Sequence, residues 1–202
     1  MIIAISGVPG VGKSQVAALL AKQLEAQLIS ITALVKAGKI PYTWDKIRRT
    51  KVVAVRDVQR AVSKITSAQR ARAIFVIEGH LAHLLRADAT FVLRCNPIAL
   101  RKRLRARRWR KAKIEENVQA ELLDVITAEA LDKIANRRRA IRKITRPSRF
   151  GKQAIRPKLY EINTTRKSPE QTARMISRIL KSKAYARKFK PGRIKWLKPE
   201  II

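Results

Sequence analysis

The sequence predicts an α/β fold in which helices cover both faces of a parallel β-sheet. Five short apolar runs are typical of strands buried on both faces, and they lie at 2–5, 28–31, 74–77, 90–93 and 159–162. Helical patterns separate these runs. Strands that alternate with helices favour a parallel sheet, in which ligands bind at the carboxyl ends of the strands.

The helices are predicted from apolar residues at helical spacing and from their first residues. Such patterns lie at 16–24, 58–67, 97–104, 113–144 and 169–180. Pro97 and Pro169 suit the first position of a helix. Residues 32–50 show no sustained period, which predicts a short helix followed by a loop.

The first strand ends in a glycine-rich turn that fits a phosphate-binding motif. Residues 7–14 read GVPGVGKS and match G-x-x-x-x-G-K-[ST], between a strand and a helix N-terminus. Three glycines let the backbone approach phosphate oxygens: Gly7, Gly10 and Gly12. Lys13 can then bridge the β- and γ-phosphates of a nucleoside triphosphate, and the Ser14 hydroxyl can ligate Mg²⁺. A chance glycine turn is the alternative.

Polar residues follow the third predicted strand. Glu78 is a candidate for the carboxylate that holds Mg²⁺, directly or through water, opposite the glycine turn. His80 could orient a water molecule or a phosphate. The alternatives are that Glu78 caps a turn and that His80 is structural.

Arginines are concentrated at residues 103–110, and Arg103 and Arg107 are the candidates for catalysis. Phosphoryl transfer needs positive charge around the moving group, and arginines on a movable segment supply it. The alternative is a solvated basic face of a helix.

The composition is strongly basic. The chain has 47 Lys and Arg against 14 Asp and Glu, a formal net charge of +33. Such an excess is typical of a protein that binds a polyanion, with general solubility as the alternative. Trp44 and Trp196 could stack on RNA bases or pack on the domain itself.

Cysteine content and the N-terminus limit the class of protein. Cys95 is the only cysteine, so the sequence offers no internal disulfide and no cysteine-based metal site. The first apolar run is too short to span a bilayer, and no charged leader accompanies it. We therefore expect a soluble cytoplasmic protein without a membrane partner.

Several motifs, in this order, resemble the adenylate kinase isoenzyme 6 family. They are GVPGVGKS at 7–14, VIEGH at 76–80, FVLR at 91–94, ENVQAE at 116–121 and YEINTT at 160–165. The resemblance covers about residues 1–130 and 159–180. Members of this family are small nucleoside monophosphate kinases linked to late maturation of the small ribosomal subunit.

The resemblance implies a P-loop kinase domain at 1–182, with strands in the order 2-3-1-4-5, and a basic C-terminal tail at 183–202. A segment that binds the nucleoside monophosphate would lie at about 30–50, and a lid at about 106–116. The basic stretch 136–158 would be an insertion beyond the family core.

The resemblance also implies roles for individual residues. Lys13 and the lid arginine Arg107 would clamp ATP, with Arg103 one turn earlier on the same face, while Lys167 would contact the base. Ser14 and Glu78 would hold Mg²⁺. The residues of the glycine turn that would contact ATP are Gly7, Gly10, Val11, Gly12, Lys13, Ser14 and Gln15.

Three readings of the function stay open. The first is a kinase that transfers the γ-phosphoryl group of ATP to AMP or another nucleoside monophosphate, with ATPase activity and a role in 30S maturation. The second is mainly an ATPase and RNA-binding assembly factor that contacts a platform ribosomal protein and rRNA on the small-subunit precursor. The third is an RNA-binding protein with a vestigial nucleotide site.

The chain departs from the family pattern in ways that favour RNA contact. Basic residues follow the second strand at Lys46, Arg48, Arg49 and Lys51, and the insertion 136–158 adds more. Glu78 stands where the family often has Asp.

Overall fold

The computed structural model describes residues 1–68, 73–144 and 158–197. Most of the predicted insertion at 136–158 and the last five residues of the tail lie outside the described residues. The strands are β1 (Ile2–Ser6), β2 (Gln27–Ser30), β3 (Thr43–Asp45), β4 (Thr50–Val52), β5 (Phe75–Glu78), β6 (Ala89–Arg94) and β7 (Lys158–Asn163). The helices are α1 (Lys13–Gln23), α2 (Ile31–Lys36), α3 (Val55–Ser67), α4 (Pro97–Ala106), α5 (Lys111–Leu122), α6 (Val125–Ile144), α7 (Pro169–Lys181) and α8 (Lys183–Ala186).

Five parallel strands form the central sheet in the order β2-β5-β1-β6-β7. Counted along this sheet alone, the order is 2-3-1-4-5, so the predicted α/β architecture is confirmed. Ile5 of β1 lies opposite Glu78 of β5 on one side and opposite Phe91 of β6 on the other. The ends of β2, β5 and β1 therefore meet at one edge of the sheet.

Helices cover both faces because side chains alternate along the buried strands. Ile3 and Ile5 pack in one apolar cluster with residues of α1, α4 and α7. Ala4, between them, packs in a second cluster with residues of α2 and α3. This arrangement confirms the helices on both faces. Among the described helices, none combines the length and the apolar character that a membrane crossing needs.

Residues 43–52 form an antiparallel hairpin where the sequence predicts a loop. Trp44 of β3 lies opposite Lys51 of β4, and the Asp45 carboxylate accepts the N–H of Arg48 at 2.8 Å across the turn. Trp44 is 55% exposed and Ile47 is 95% exposed. The hairpin packs no large side chain into the core, which explains why its sequence carries no apolar period.

A buried arginine joins the end of β6 to the helices that follow it. Arg94 is 2% exposed, and its Nε donates to Glu121 of α5 at 2.7 Å. Its Nη1 also pairs with Glu161 of β7 and with Asp124. Burying a charge is costly, and this cluster offsets the cost because carboxylates and a backbone carbonyl accept the guanidinium N–H groups.

The C-terminal segment closes the same cluster. The indole N–H of Trp196 donates to Glu121 at 2.8 Å. The backbone N–H groups of Gly192 and Ile194 donate to Glu161 at 3.0 and 3.3 Å. Of the two alternatives for Trp196, the structure therefore shows packing on the domain.

Arg94→Leu is expected to destabilise the protein by about 3–5 kcal/mol at neutral pH, because Glu121 and Glu161 stay buried without their cation. The loss should shrink as the pH falls, because burial raises the pKa of Glu121 and its protonation removes an uncompensated buried charge. Urea denaturation at several pH values measures it. Arg101→Leu, which breaks the partly exposed pair of Arg101 with Glu115, is the control and should cost much less. A pH-independent loss for Arg94→Leu would contradict this account.

Candidate nucleotide site

The glycine turn leaves the N-terminus of α1 open to an anion. A Cβ at Gly7 would lie 2.4 Å from the carbonyl oxygen of Leu93, so only glycine fits beneath the turn. Gly12, at the start of α1, has a φ of 98°, in the left-handed region. No side chain caps α1, and its first turn has no acidic residue. The free N–H groups and the helix dipole therefore favour a negatively charged ligand.

Two adjoining cavities surround this turn. The loop cavity, of about 370 Å³, is bordered by Lys13, Ser14, Glu78, His80 and Arg107. The second cavity, of about 400 Å³, is bordered by Val11, Arg103, Arg107 and Lys167. The residues that border both are Gly10, Gly12, Gln15 and Arg107. The structure thus brings the predicted site residues other than Gly7 together around one groove, while their roles stay predictions.

The carboxylate of Glu78 organises the floor of the loop cavity. Glu78 is 4% exposed and accepts the hydroxyl hydrogens of Ser14 at 3.1 Å and Ser30 at 2.5 Å. Ser30 was not among the predicted site residues. Its position at the end of the second predicted strand was the available signal in the sequence, and the sheet register then places it opposite Glu78.

The same oxygens suit Mg²⁺. A carboxylate and a hydroxyl are hard oxygen ligands, and Mg²⁺ is usually held by one or two carboxylates together with substrate phosphates and water. In the parts of the chain that the structure describes, no group of three His, Cys, Asp or Glu residues is placed to hold a metal ion by itself. An ion at this site would need further ligands from the phosphates and from water. Ser14 and Glu78 therefore fit an ion that arrives with a nucleotide.

Lys13 lies half-buried at the base of the loop cavity, and its Nζ donates to the carbonyl oxygen of Val8 at 3.0 Å. The pKa of Lys13 is lowered to about 8, chiefly because burial disfavours the charged ammonium; the charge of Arg107 also lowers it, and the nearby carboxylate of Glu78 opposes the shift. Phosphate oxygens beside the ammonium would favour its charged form.

ATP binding is expected to weaken as the pH rises above about 8, because the free protein then has to take up a proton on Lys13 before the ammonium can meet the phosphates. Below that pH the lysine is already charged, so affinity should be nearly independent of its titration. The affinity should fall by up to about tenfold per pH unit above 8. Calorimetry in buffers of different ionisation enthalpy measures the proton uptake, and uptake unchanged in Lys13→Met would contradict the assignment.

The two histidines near β5 differ in their surroundings. His80 is exposed at the rim of the loop cavity, where desolvation and the charge of Lys13 lower its pKa. It is therefore neutral near pH 7. His83 is buried, with Nδ1 2.9 Å from the Ser6 hydroxyl and Nε2 2.9 Å from Glu129 of α6. His83 thus links the end of β1 to α6 and lies outside the loop cavity.

Arg103 is engaged with the loop that follows β7. Its Nη2 donates to the carbonyls of Thr164 at 3.1 Å and Thr165 at 3.0 Å. The Thr164 hydroxyl in turn donates to the carbonyl of Val11 in the glycine turn at 3.1 Å. This loop, which places Lys167 at the second cavity, is therefore fixed against the glycine turn. The roles of Arg103 at the phosphates and of Lys167 at the base stay predictions.

A third and wider cleft, of about 880 Å³, separates the hairpin (43–52) from residues 106–116, which we call the lid segment after their predicted role. We call it the hairpin–lid cleft. Trp109, half-buried against the core, borders both this cleft and the loop cavity. The cleft therefore adjoins the phosphate side of the groove.

The sequence matches a known domain family and relatives that are named as kinases. The profile of the AAA domain family matches residues 3–124. A relative from Archaeoglobus fulgidus is 33% identical over 198 residues, which cover 98% of this chain and 92% of the relative. Another from Pyrococcus furiosus is 34% identical over 205 residues, which cover 100% of this chain and 96% of the relative. Both are named "Putative adenylate kinase".

A solved structure of shikimate kinase from Bacteroides thetaiotaomicron has a TM-score of 0.50 and 15% identity, covering 90% of this chain and 99% of that chain. At this identity the likeness shows the fold alone. The sheet, the glycine turn and the relatives define a P-loop phosphotransferase. Within that class, the chain belongs to the adenylate kinase isoenzyme 6 family, as its motifs predict.

Proposed function

We propose that the protein is a nucleoside monophosphate kinase that transfers the γ-phosphoryl group of ATP to AMP or a similar acceptor. The observation that carries this proposal is that Lys13, Arg107 and the Ser14–Glu78 pair all border one cavity at the N-terminus of α1. Relatives named as adenylate kinases support the same reaction.

The arrangement supports ATP binding along the groove. The triphosphate would lie in the loop cavity against Lys13, and the base would lie in the second cavity beside Lys167. Mg²⁺ held through Ser14 and Glu78 would supply positive charge between the phosphates. Arg107 borders both cavities, so it can contact the triphosphate along the groove.

The acceptor would enter from the hairpin–lid cleft, which meets the loop cavity at Trp109. A phosphate oxygen of the acceptor would form the new bond to the γ-phosphorus while the bond to the β–γ bridging oxygen breaks, releasing ADP. This chemistry needs positioning and positive charge more than a strong base. Lys13 and Arg107 would provide that charge at the oxygens where it develops.

A coupled assay with ATP and AMP tests the reaction. Lys13→Ala should lower kcat/KM by about 10²- to 10³-fold, because it removes one charged donor from the transferring phosphoryl group. Lys22→Ala, which changes an exposed lysine in the last turn of the same helix, is the matched control and should keep the wild-type rate. Equal turnover by Lys13→Ala and the wild type would rule out the proposed site.

A second candidate function is favoured by the net charge of +33, which exceeds what nucleotide binding needs. We propose that the protein also hydrolyses ATP during late maturation of the small ribosomal subunit, in contact with rRNA and a platform ribosomal protein. Affinity that depends mainly on phosphate contacts is strongly salt-dependent.

Co-sedimentation with small-subunit precursors tests the second function. Association should be strong at about 50 mM salt and fall by orders of magnitude at about 200 mM. ATP hydrolysis should rise when the precursors are added. Absence of association at the lower salt concentration would exclude this role and leave the kinase reaction as the function.

A further inference from the structure

The hairpin–lid cleft is larger than either cavity of the nucleotide groove. Its volume is about 880 Å³, against about 370 Å³ for the loop cavity and about 400 Å³ for the second cavity. One nucleoside monophosphate at its inner end, beside Trp109, would leave the outer part between the hairpin and the lid segment free.

Both walls of the cleft carry positive charge. Arg48 and Arg49 line it from the hairpin, and Arg108 and Arg110 line it from the lid segment. All four are exposed, and none pairs with a carboxylate within the described residues. The acidic residue of the lining, Glu116, is itself paired with Lys113 at 2.9 Å. A single monophosphate carries too little charge to neutralise these walls.

The cleft also presents a flat aromatic surface to solvent. Trp44 is 55% exposed, and on the next strand Lys51 lies directly opposite it. Ile47, 95% exposed, borders the same cleft at the turn of the hairpin. An exposed aromatic ring among cations that can follow a phosphate backbone is the combination that binds single-stranded nucleic acids, since every base has a face that can stack.

We propose that the hairpin–lid cleft binds single-stranded nucleic acid. Trp44 stacks on a base, and Arg48 and Arg49 contact the phosphates on either side of it, while Arg108 and Arg110 contact the strand from the opposite wall. Double-stranded nucleic acid does not present its bases in this way, so the cleft selects the single strand.

The inference rests on the proposed function in one respect, the assignment of the inner end of the cleft to the acceptor nucleotide. The two can fail separately. Wild-type protein that phosphorylates AMP but binds no oligonucleotide overturns this inference alone. Protein that binds the oligonucleotide but does not phosphorylate AMP overturns the kinase proposal alone.

Fluorescence anisotropy of the full chain with a fluorescein-labelled ten-nucleotide RNA tests the charged walls. For the double variant Arg48→Gln and Arg49→Gln, the slope of log K against log salt should fall by about 1.4, or about 0.7 for each lost contact. If the variant and the wild type bind equally at about 1 M salt, this difference in slope corresponds to roughly 25-fold weaker binding at about 0.1 M salt. The matched control, Arg174→Gln with Arg187→Gln, removes two exposed arginines outside the cleft and should keep the wild-type slope.

Trp44→Ala tests the stacking. It should weaken binding by about 5- to 150-fold with little change in the salt slope, and Trp44→Phe should restore most of the affinity. The hairpin side chains are exposed, and circular dichroism checks that both variants stay folded. Oligonucleotides of RNA and of DNA with the same sequence show which sugar the cleft prefers.

Four outcomes would overturn the proposal. The wild type could bind no oligonucleotide, or it could bind a duplex as tightly as the single strand. The control pair could lose as much affinity as the hairpin pair, which would show diffuse attraction to the whole basic surface. Polyglutamate of matched charge could compete equally well while Trp44→Ala had no effect, which would indicate an acidic protein partner.

Discussion

The buried guanidinium of Arg94 is the constraint on which the geometry of the functional edge depends. It stands at the end of β6 and contacts carboxylates of α5 and β7, and through Glu121 and Glu161 it holds the C-terminal segment. A buried charge is stable only when acceptors surround it, so these elements have few alternative positions. α4 begins three residues after Arg94, and its carboxylate partner Glu121 lies in the last turn of α5. The lid segment therefore lies between two anchored points of the chain, Arg94 and Glu121.

The nucleotide groove follows from the order of the strands. Placing β1 between β5 and β6 brings Glu78 beside the glycine turn and brings Ser30 opposite Glu78. Hydroxyls from two separate segments then share one buried carboxylate. Partial burial at the same place lowers the pKa of Lys13, so an incoming phosphate both attracts the lysine and stabilises its charge.

The sequence predicts those parts whose signal is local. The sheet strands are recognisable because they are apolar on both faces, and the glycine turn is recognisable because its spacing is contiguous in the chain. Ser30 and Thr164 were missed because their contacts depend on register between distant strands. The hairpin was missed because exposed strands carry no apolar period. For Trp196, the sequence favoured packing on the domain over stacking on bases without excluding either, and the hydrogen bond to Glu121 decides for packing.

The charge of the hairpin also sets its relation to the lid segment. Among the described residues, the hairpin adds no large side chain to either buried apolar cluster, so packing in the core does not set its distance from the lid segment. Arg48 and Arg49 face Arg108 and Arg110 across the cleft, and like charges across a solvated gap repel. Screening by salt weakens this repulsion but does not reverse it. A polyanion between the walls, such as the proposed single strand, would replace this repulsion with attraction to both walls.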